Sequence, residues 1–348
     1  MGPVLRHRFG LNLGETGVLI GASLLGSIPT LILWGLLSDR VGERIVLAAG
    51  IGTCGAALLA AAEVGHFWAL AVLLVVAGAA GASVQSASGR AVMGWFTPAR
   101  RGLALGIRQT AIPIGGFASS LVLPHLSPSW GFRVLGLTCL CTAVAGLLLI
   151  REGPVRHATG EGPRPMRDRR IWRLSWASSL LLWPQMCVVG FIVLFLHDRR
   201  GVDTARAAGV VAAVQILGIL TRIGSGAWSD VVGSRLVPLR RIAAGSAVCS
   251  AATAAVAVRA PLAAVVPVLV ITGALAMSWN GLAFTAAAEL AGGARAGAAI
   301  GIQQTVLNAS AALLPPTFGA IVGAAGWTVG FALVALGPLG GFVGLRRL

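Results

Sequence analysis

Two arginines stand inside apolar stretches of this sequence. Arg108 lies six residues into the run 102–123, and Arg222 lies eight residues before Asp230, at the polar end of its own run. A guanidinium in such a place needs an anion, backbone carbonyls, or a route back to water. At helical rise Arg108 is roughly 9 Å from the start of its run and Arg222 roughly 12 Å from Asp230. For Arg108 two readings stay open: it binds an anionic group of a ligand, or it reaches the nearer interface or loop carbonyls. For Arg222 the second reading is favoured. Gln85, Gln109, Trp183, Gln185, Gln215, Trp279, Asn280, Gln303, Gln304 and Asn308 also fall within apolar runs. Each offers a donor or acceptor, and each alone is equally served by bonding a neighbouring helix. No Asp or Glu lies in the middle of a run; Glu63 and Glu289 fall at run ends and the other acids in loops.

Other chemistries find no support. Gly50-Ile51-Gly52-Thr53-Cys54-Gly55 fits the dinucleotide spacing, yet it lies inside an apolar run with no strand before it and no ribose-binding acid about 20 residues on. Its glycines suit close helix approach instead. The five cysteines sit in or beside apolar runs and read as buried free thiols. Cys139 and Cys141 have the wrong spacing for zinc, and the five histidines are scattered. There is no nucleophile elbow, no carboxylate pair and no HExxH, so neither an enzyme, a metal site nor a cofactor is expected.

The strongest pattern is a repeat. Gly35-Leu36-Leu37-Ser38-Asp39-Arg40-Val41-Gly42-Glu43-Arg44 answers Gly226-Ala227-Trp228-Ser229-Asp230-Val231-Val232-Gly233-Ser234-Arg235. Both read as a polar loop between two apolar helices. A second echo matches residues 102–110 with 297–305. The offset is 191 for the aspartates (230 − 39) and 195 for the glycines (297 − 102), so the chain is two homologous halves.

The elements that carry these residues are spanning helices. The 348 residues are 56% hydrophobic and 11% charged, with mean hydropathy +0.86, more apolar surface than a soluble fold can hide. Runs lie at about 16–37, 45–64, 68–92, 102–123 and 132–150, then 171–196, 207–228, 237–258, 262–288, 296–323 and 327–345. Each is near the 20 or so residues that cross a bilayer as helix. That makes five before a polar stretch and six after it. Residues 151–170, with Arg151, Arg156, Arg164, Arg167, Arg169 and Arg170, read as the linker between an N-terminal bundle at 1–150 and a C-terminal bundle at 171–348. The net charge of +16 is all arginine and lies between apolar runs, which argues against nucleic-acid binding. Eighteen arginines fall on the side of the ten-mers and the linker against seven on the other, so that side and the C-terminus are expected to be cytoplasmic.

The paired ten-mers resemble the signature loop of the major facilitator superfamily of transporters, which joins the second and third spanning helices and, in weaker form, the eighth and ninth. The first copy departs at Glu43, where the family usually has Arg or Lys, and the second lacks the Arg after Asp230. The resemblance covers nearly the whole chain and implies twelve helices as six plus six. On that count Met1–Leu13 corresponds to the outer end of the first helix and the loop after it, and the first helix itself is absent. It implies an all-α membrane protein of two pseudo-symmetric bundles: a monomeric secondary carrier in the inner (plasma) membrane, moving a small solute by alternating access. The substrate expectation is a small anion; efflux of hydrophobic drugs or metabolites is the alternative, and a truncated, non-transporting membrane protein is a third. The resemblance places the polar set above, with Arg108, on cavity-lining helices and the helices beside them. It makes Gly35, Asp39, Arg40, Gly42, Arg44, Asp230, Gly233 and Arg235 a cytoplasmic gate. Asp39 is then expected to approach residues 294–298, and Asp230 the helix start at Arg101-Gly102, with Arg40 and Arg44 on neighbouring acids or carbonyls.

Overall fold

In lipid a backbone must satisfy its own N–H and C=O groups, and a helix does so within one segment. The computed structural model describes residues 13–151, 165–292 and 294–348, which are helical with short connections and contain no strand. The expected remnant at Met1–Leu13, apart from its last residue, and most of the linker lie outside the described residues.

The helices are α1 (Leu13–Val41), α2 (Glu43–Glu63), α3 (Phe67–Gly81), α4 (Ser83–Trp95), α5 (Arg101–Gln109), α6 (Ala111–Val122) and α7 (Pro128–Leu149). After the linker come α8 (Arg169–Pro184), α9 (Gly190–Leu194), α10 (Thr204–Val232), α11 (Leu236–Val256), α12 (Leu262–Met277), α13 (Asn280–Leu290) and α14 (Ala296–Arg346). By length and apolarity eight helical stretches among the described residues are able to cross a membrane. The 51-residue α14 contains two of the expected runs, bent where Gly326 takes φ 82°. The interrupted pair α5–α6 and the arginine-bearing α11 supply the rest of the eleven.

Several runs that read as continuous are broken midway. Thr110 separates α5 from α6, and its hydroxyl donates to the Ile107 carbonyl at 2.7 Å. Ser278 begins the gap between α12 and α13, and its hydroxyl donates to the Leu275 carbonyl at 2.7 Å. Such back-bonding accompanies these two breaks without being sufficient for them, since Ser38 and Ser229 make the same bond inside unbroken α1 and α10. Pro184 has no N–H to continue the ladder, and the chain widens into a π turn over Gln185–Val189. The expected ten-residue loops are also mostly helix: α1 runs through Asp39 to Val41, and α10 through Asp230 to Val232. The turns begin at Gly42 and Gly233, whose φ values of 92° and 66° a side chain would resist.

Contacts divide the chain into two units. The first holds the described residues of 1–95, 114–168 and 288–305; the second holds 96–113, 169–287 and 306–348. In the first, α1, α2, α3 and α7 pack through Leu19, Ala62, Leu70, Leu74 and Phe132. In the second, Phe195, Phe318, Trp327 and Phe331 stack edge-on and tilted around a buried apolar core.

Candidate functional site

Each unit contains one copy of the same clasp. In the first unit Asp39 accepts the Gly297 N–H at 2.9 Å and the Ala298 N–H at 2.8 Å, one on each carboxylate oxygen. These are among the N–H groups that a helix start leaves unpaired, and the helix dipole there favours a negative charge. The carboxylate is 3% exposed. In the second unit Asp230 accepts the Gly102 N–H at 3.0 Å and the Leu103 N–H at 2.8 Å. Each clasp therefore links an acid from one sequence half to a helix start in the other.

The rest of the repeated ten-mer explains itself around that bond. A Cβ on Gly35 would lie 2.3 Å from the Gly297 carbonyl oxygen, and one on Gly226 2.3 Å from the Gly102 oxygen. Only a glycine lets the two helices come this close. Ser38 and Ser229 fold back onto the Gly35 and Gly226 carbonyls at 2.9 and 2.8 Å, which keeps their hydroxyls satisfied while buried.

The counter-charges differ. Arg235 donates to Asp230 and to Ser229, and its other terminal nitrogen donates to the Pro98 carbonyl. Its first-half equivalent, Arg44, instead caps the Leu147 carbonyl at 2.7 Å, and Arg40 stays exposed. The cation beside Asp39 is Arg90 of α4, with Nε 3.4 Å from the carboxylate. Arg90 also bonds Glu43, and all three side chains are buried. Sequence reading counted Arg90 only as one of the cytoplasmic-side arginines. The available signal was Glu43 itself, an acid at the polar end of a span, which calls for a nearby cation.

The polar residues within the runs fall into two groups, one per unit. In the first, Gln304 donates to Gln85 at 2.8 Å, beside the fully buried Gln303. In the second, Arg108 donates to Gln109 Oε1 at 3.0 Å, and Asn280 donates to Gln185 at 3.4 Å. Trp279 is 0% exposed, and its indole N–H has no acceptor among the described residues. The side-chain carbonyl of Gln215 is likewise buried without a partner. Trp183 packs against the apolar core and Gly337, and Asn308 is half-buried on α14.

Arg222 resolves to the carbonyl reading. Its Nη1 donates to the Gln109 carbonyl at 2.8 Å and its Nε to the Met277 carbonyl at 2.9 Å. Gln109 ends α5 and Met277 ends α12. One buried cation thus serves the orphan carbonyls of two broken helices and complements the negative ends of both dipoles. Thr221 and Ser225 extend the same seam to the Ala274 and Ser278 carbonyls at 2.9 and 2.6 Å. The first half repeats part of this: Thr30 donates to the Ala79 carbonyl at 2.9 Å, the counterpart of Thr221 and Ala274 at the same two offsets. The position equivalent to Arg222 is Leu31, fully buried.

A duplicated, all-helical chain with broken spans and reciprocal clasps is a polytopic membrane carrier. The sequence profile of the Major Facilitator Superfamily matches residues 1–315, and the chain belongs to that family of transporters, which are not enzymes. An uncharacterised MFS-type transporter of Mycobacterium tuberculosis is 38% identical over 345 residues, spanning 97% of this chain and 77% of that one. A probable sulfoacetate transporter of Cupriavidus necator is 23% identical over 263 residues, 68% of this chain and 61% of its own. Among solved structures, the fucose:proton symporter of E. coli superposes with a TM-score of 0.78 at 16% identity, covering 99% of this chain and 93% of that one. That likeness concerns the fold alone.

Proposed function

We propose that this protein is a secondary carrier of a small organic or inorganic anion, working by alternating access in the plasma membrane. The halves that exchange access in this reading are residues 1–150 and 171–348, joined by 151–170. The observation that carries it is the pair of reciprocal clasps, because each fastens one half to a helix start of the other by a bond that breaks reversibly. In this reading Asp39 and Asp230 close the arginine-rich, cytoplasmic side. In this reading one chain is the transporting unit.

Arg108 supplies the preference for an anion. It sits at the end of α5, where the span breaks, two residues from a turn that leaves backbone groups off the helical ladder. A permanent cation at such a break offers fixed charge and donors to a carboxylate, sulfonate or oxyanion. The sulfoacetate transporter among the relatives supports this direction. The test is uptake of labelled small sulfonates and carboxylates into proteoliposomes. Arg108→Gln is expected to cut anion uptake at least tenfold, since a charged hydrogen bond contributes about 1.5–3 kcal/mol, with protein level unchanged. Equal uptake by the variant, or extrusion of hydrophobic dyes with no anion uptake, would overturn the anion reading.

A further inference from the structure

The last turn of α14 is held by arginines from two other helices of the same unit. Arg173 of α8 donates from Nη1 to the Arg347 carbonyl at 2.9 Å. Arg240 of α11 donates from Nε to the Leu345 carbonyl at 3.1 Å. Arg346 and Arg347 follow Leu345 directly, and Arg241 follows Arg240. Arg173, near the start of α8, and Arg240, near the start of α11, therefore meet the end of α14, which carries Arg346 and Arg347, and Arg241 is the next residue along α11. Among the described residues none of the five makes an ion pair with an Asp or Glu side chain. A helix C-terminus carries only about half a negative charge, far too little to balance them. Each guanidinium has five donors, and the two that hold α14 use one apiece in these bonds.

The apolar surface leading to the cluster is ordered as well. Leu336, Leu339 and Val343 lie on one stripe of α14 at helical spacing, each about half exposed, and Arg346 continues the stripe. On α11, Arg241 and the exposed Val248 share a face seven residues apart. Arg346 and Arg241 lie over the Phe342 and Trp228 rings at 5.7 and 5.8 Å, as cation and ring face prefer. An apolar stripe that ends in unpaired guanidiniums has the form of a phospholipid: acyl chain along the helix, phosphate at its end.

We propose that the cluster of Arg173, Arg240, Arg241, Arg346 and Arg347 binds the phosphate headgroup of an anionic phospholipid. Basic pockets at the ends of spanning helices take such headgroups through charge and bidentate bonds. A free phosphate has the same headgroup chemistry but makes no use of the stripe, so the lipid is the chosen ligand. The inference rests on the membrane reading and not on the transported solute.

The test uses the full-length protein in neutral detergent with phosphatidylglycerol, phosphatidylcholine or inorganic phosphate. Retained lipid is read by native mass spectrometry, and stability by the thermal midpoint. Phosphatidylglycerol is expected to be retained and to raise the midpoint, with phosphatidylcholine and phosphate without effect. Arg346→Gln/Arg347→Gln keeps the two bonds that hold α14, because those use backbone carbonyls. It is expected to weaken phosphatidylglycerol binding about 30-fold, at about 1 kcal/mol for each arginine removed, while Arg346→Lys/Arg347→Lys keeps most of it. Arg259→Gln, which removes one charge far along the chain from the cluster, serves as the control. Equal phosphatidylglycerol retention by the Gln double variant would overturn the proposal. So would a phosphate effect as large as that of the lipid, which would make this a free-anion site.

Discussion

Asp39→Asn is the most informative single change. The carboxylate accepts two N–H groups at 2.9 and 2.8 Å at the start of α14. An Asn amide keeps one acceptor, but its NH2 then faces an N–H, donor against donor. One charge-assisted bond is lost, at about 1.5–3 kcal/mol. The charge at the helix end is lost with it, at about 0.3–1 kcal/mol. Water reaching the freed groups offsets part of this, leaving about 2 kcal/mol. That corresponds to a shift of about 30-fold between clasped and open states. The reporter is Ala299→Cys, one turn into α14 and 0% exposed, in a chain whose five native cysteines are replaced by serine. Maleimide labelling from the arginine-rich side should speed up by up to that factor, while expression and the thermal midpoint change little. An unchanged labelling rate in a well-folded variant would refute the clasp as a gate.

Glu43→Gln leaves buried Arg90 short of its closest acid and is expected to destabilise the protein by about 3 kcal/mol. Adding Arg90→Gln should recover part of that loss, and a double-mutant cycle on thermal midpoints measures how much. Arg222→Met removes the two carbonyl bonds that join α5 to α12 and should cost about 2–3 kcal/mol, read as a lowered midpoint in detergent. A midpoint within error of wild type would show that water replaces the guanidinium there.

What the sequence made legible was whatever depends on a short stretch of chain. The two ten-mers marked both acids and the turns after them, because Gly-x-x-Ser-Asp-x-x-Gly is a local pattern, and the helix starts that the acids meet followed from the resemblance to the transporter family. The eleven runs followed from apolar length. The breaks at Thr110 and Ser278 were not legible, because the apolar runs continue across them. The Arg90 contact with Glu43 was missed for a different reason: its two members are 47 residues apart and meet only when α4 packs beside α1 and α2. Arg222 was placed with carbonyls correctly in kind, but which carbonyls depended on breaks that the sequence did not show.

The counter-charge of the clasp has a consequence for how the duplicated halves are read. Asp230 is neutralised by an arginine five residues along its own chain, Asp39 by one that arrives on another helix. The copies thus began as one device and have since been rewired separately. Each half is a natural variant of the other: Arg222 answers Leu31, Arg108 answers Gln303, Asn280 answers Gln85. Exchanging residues between such partners asks, within a single molecule, which differences are drift and which divide the labour of holding a solute.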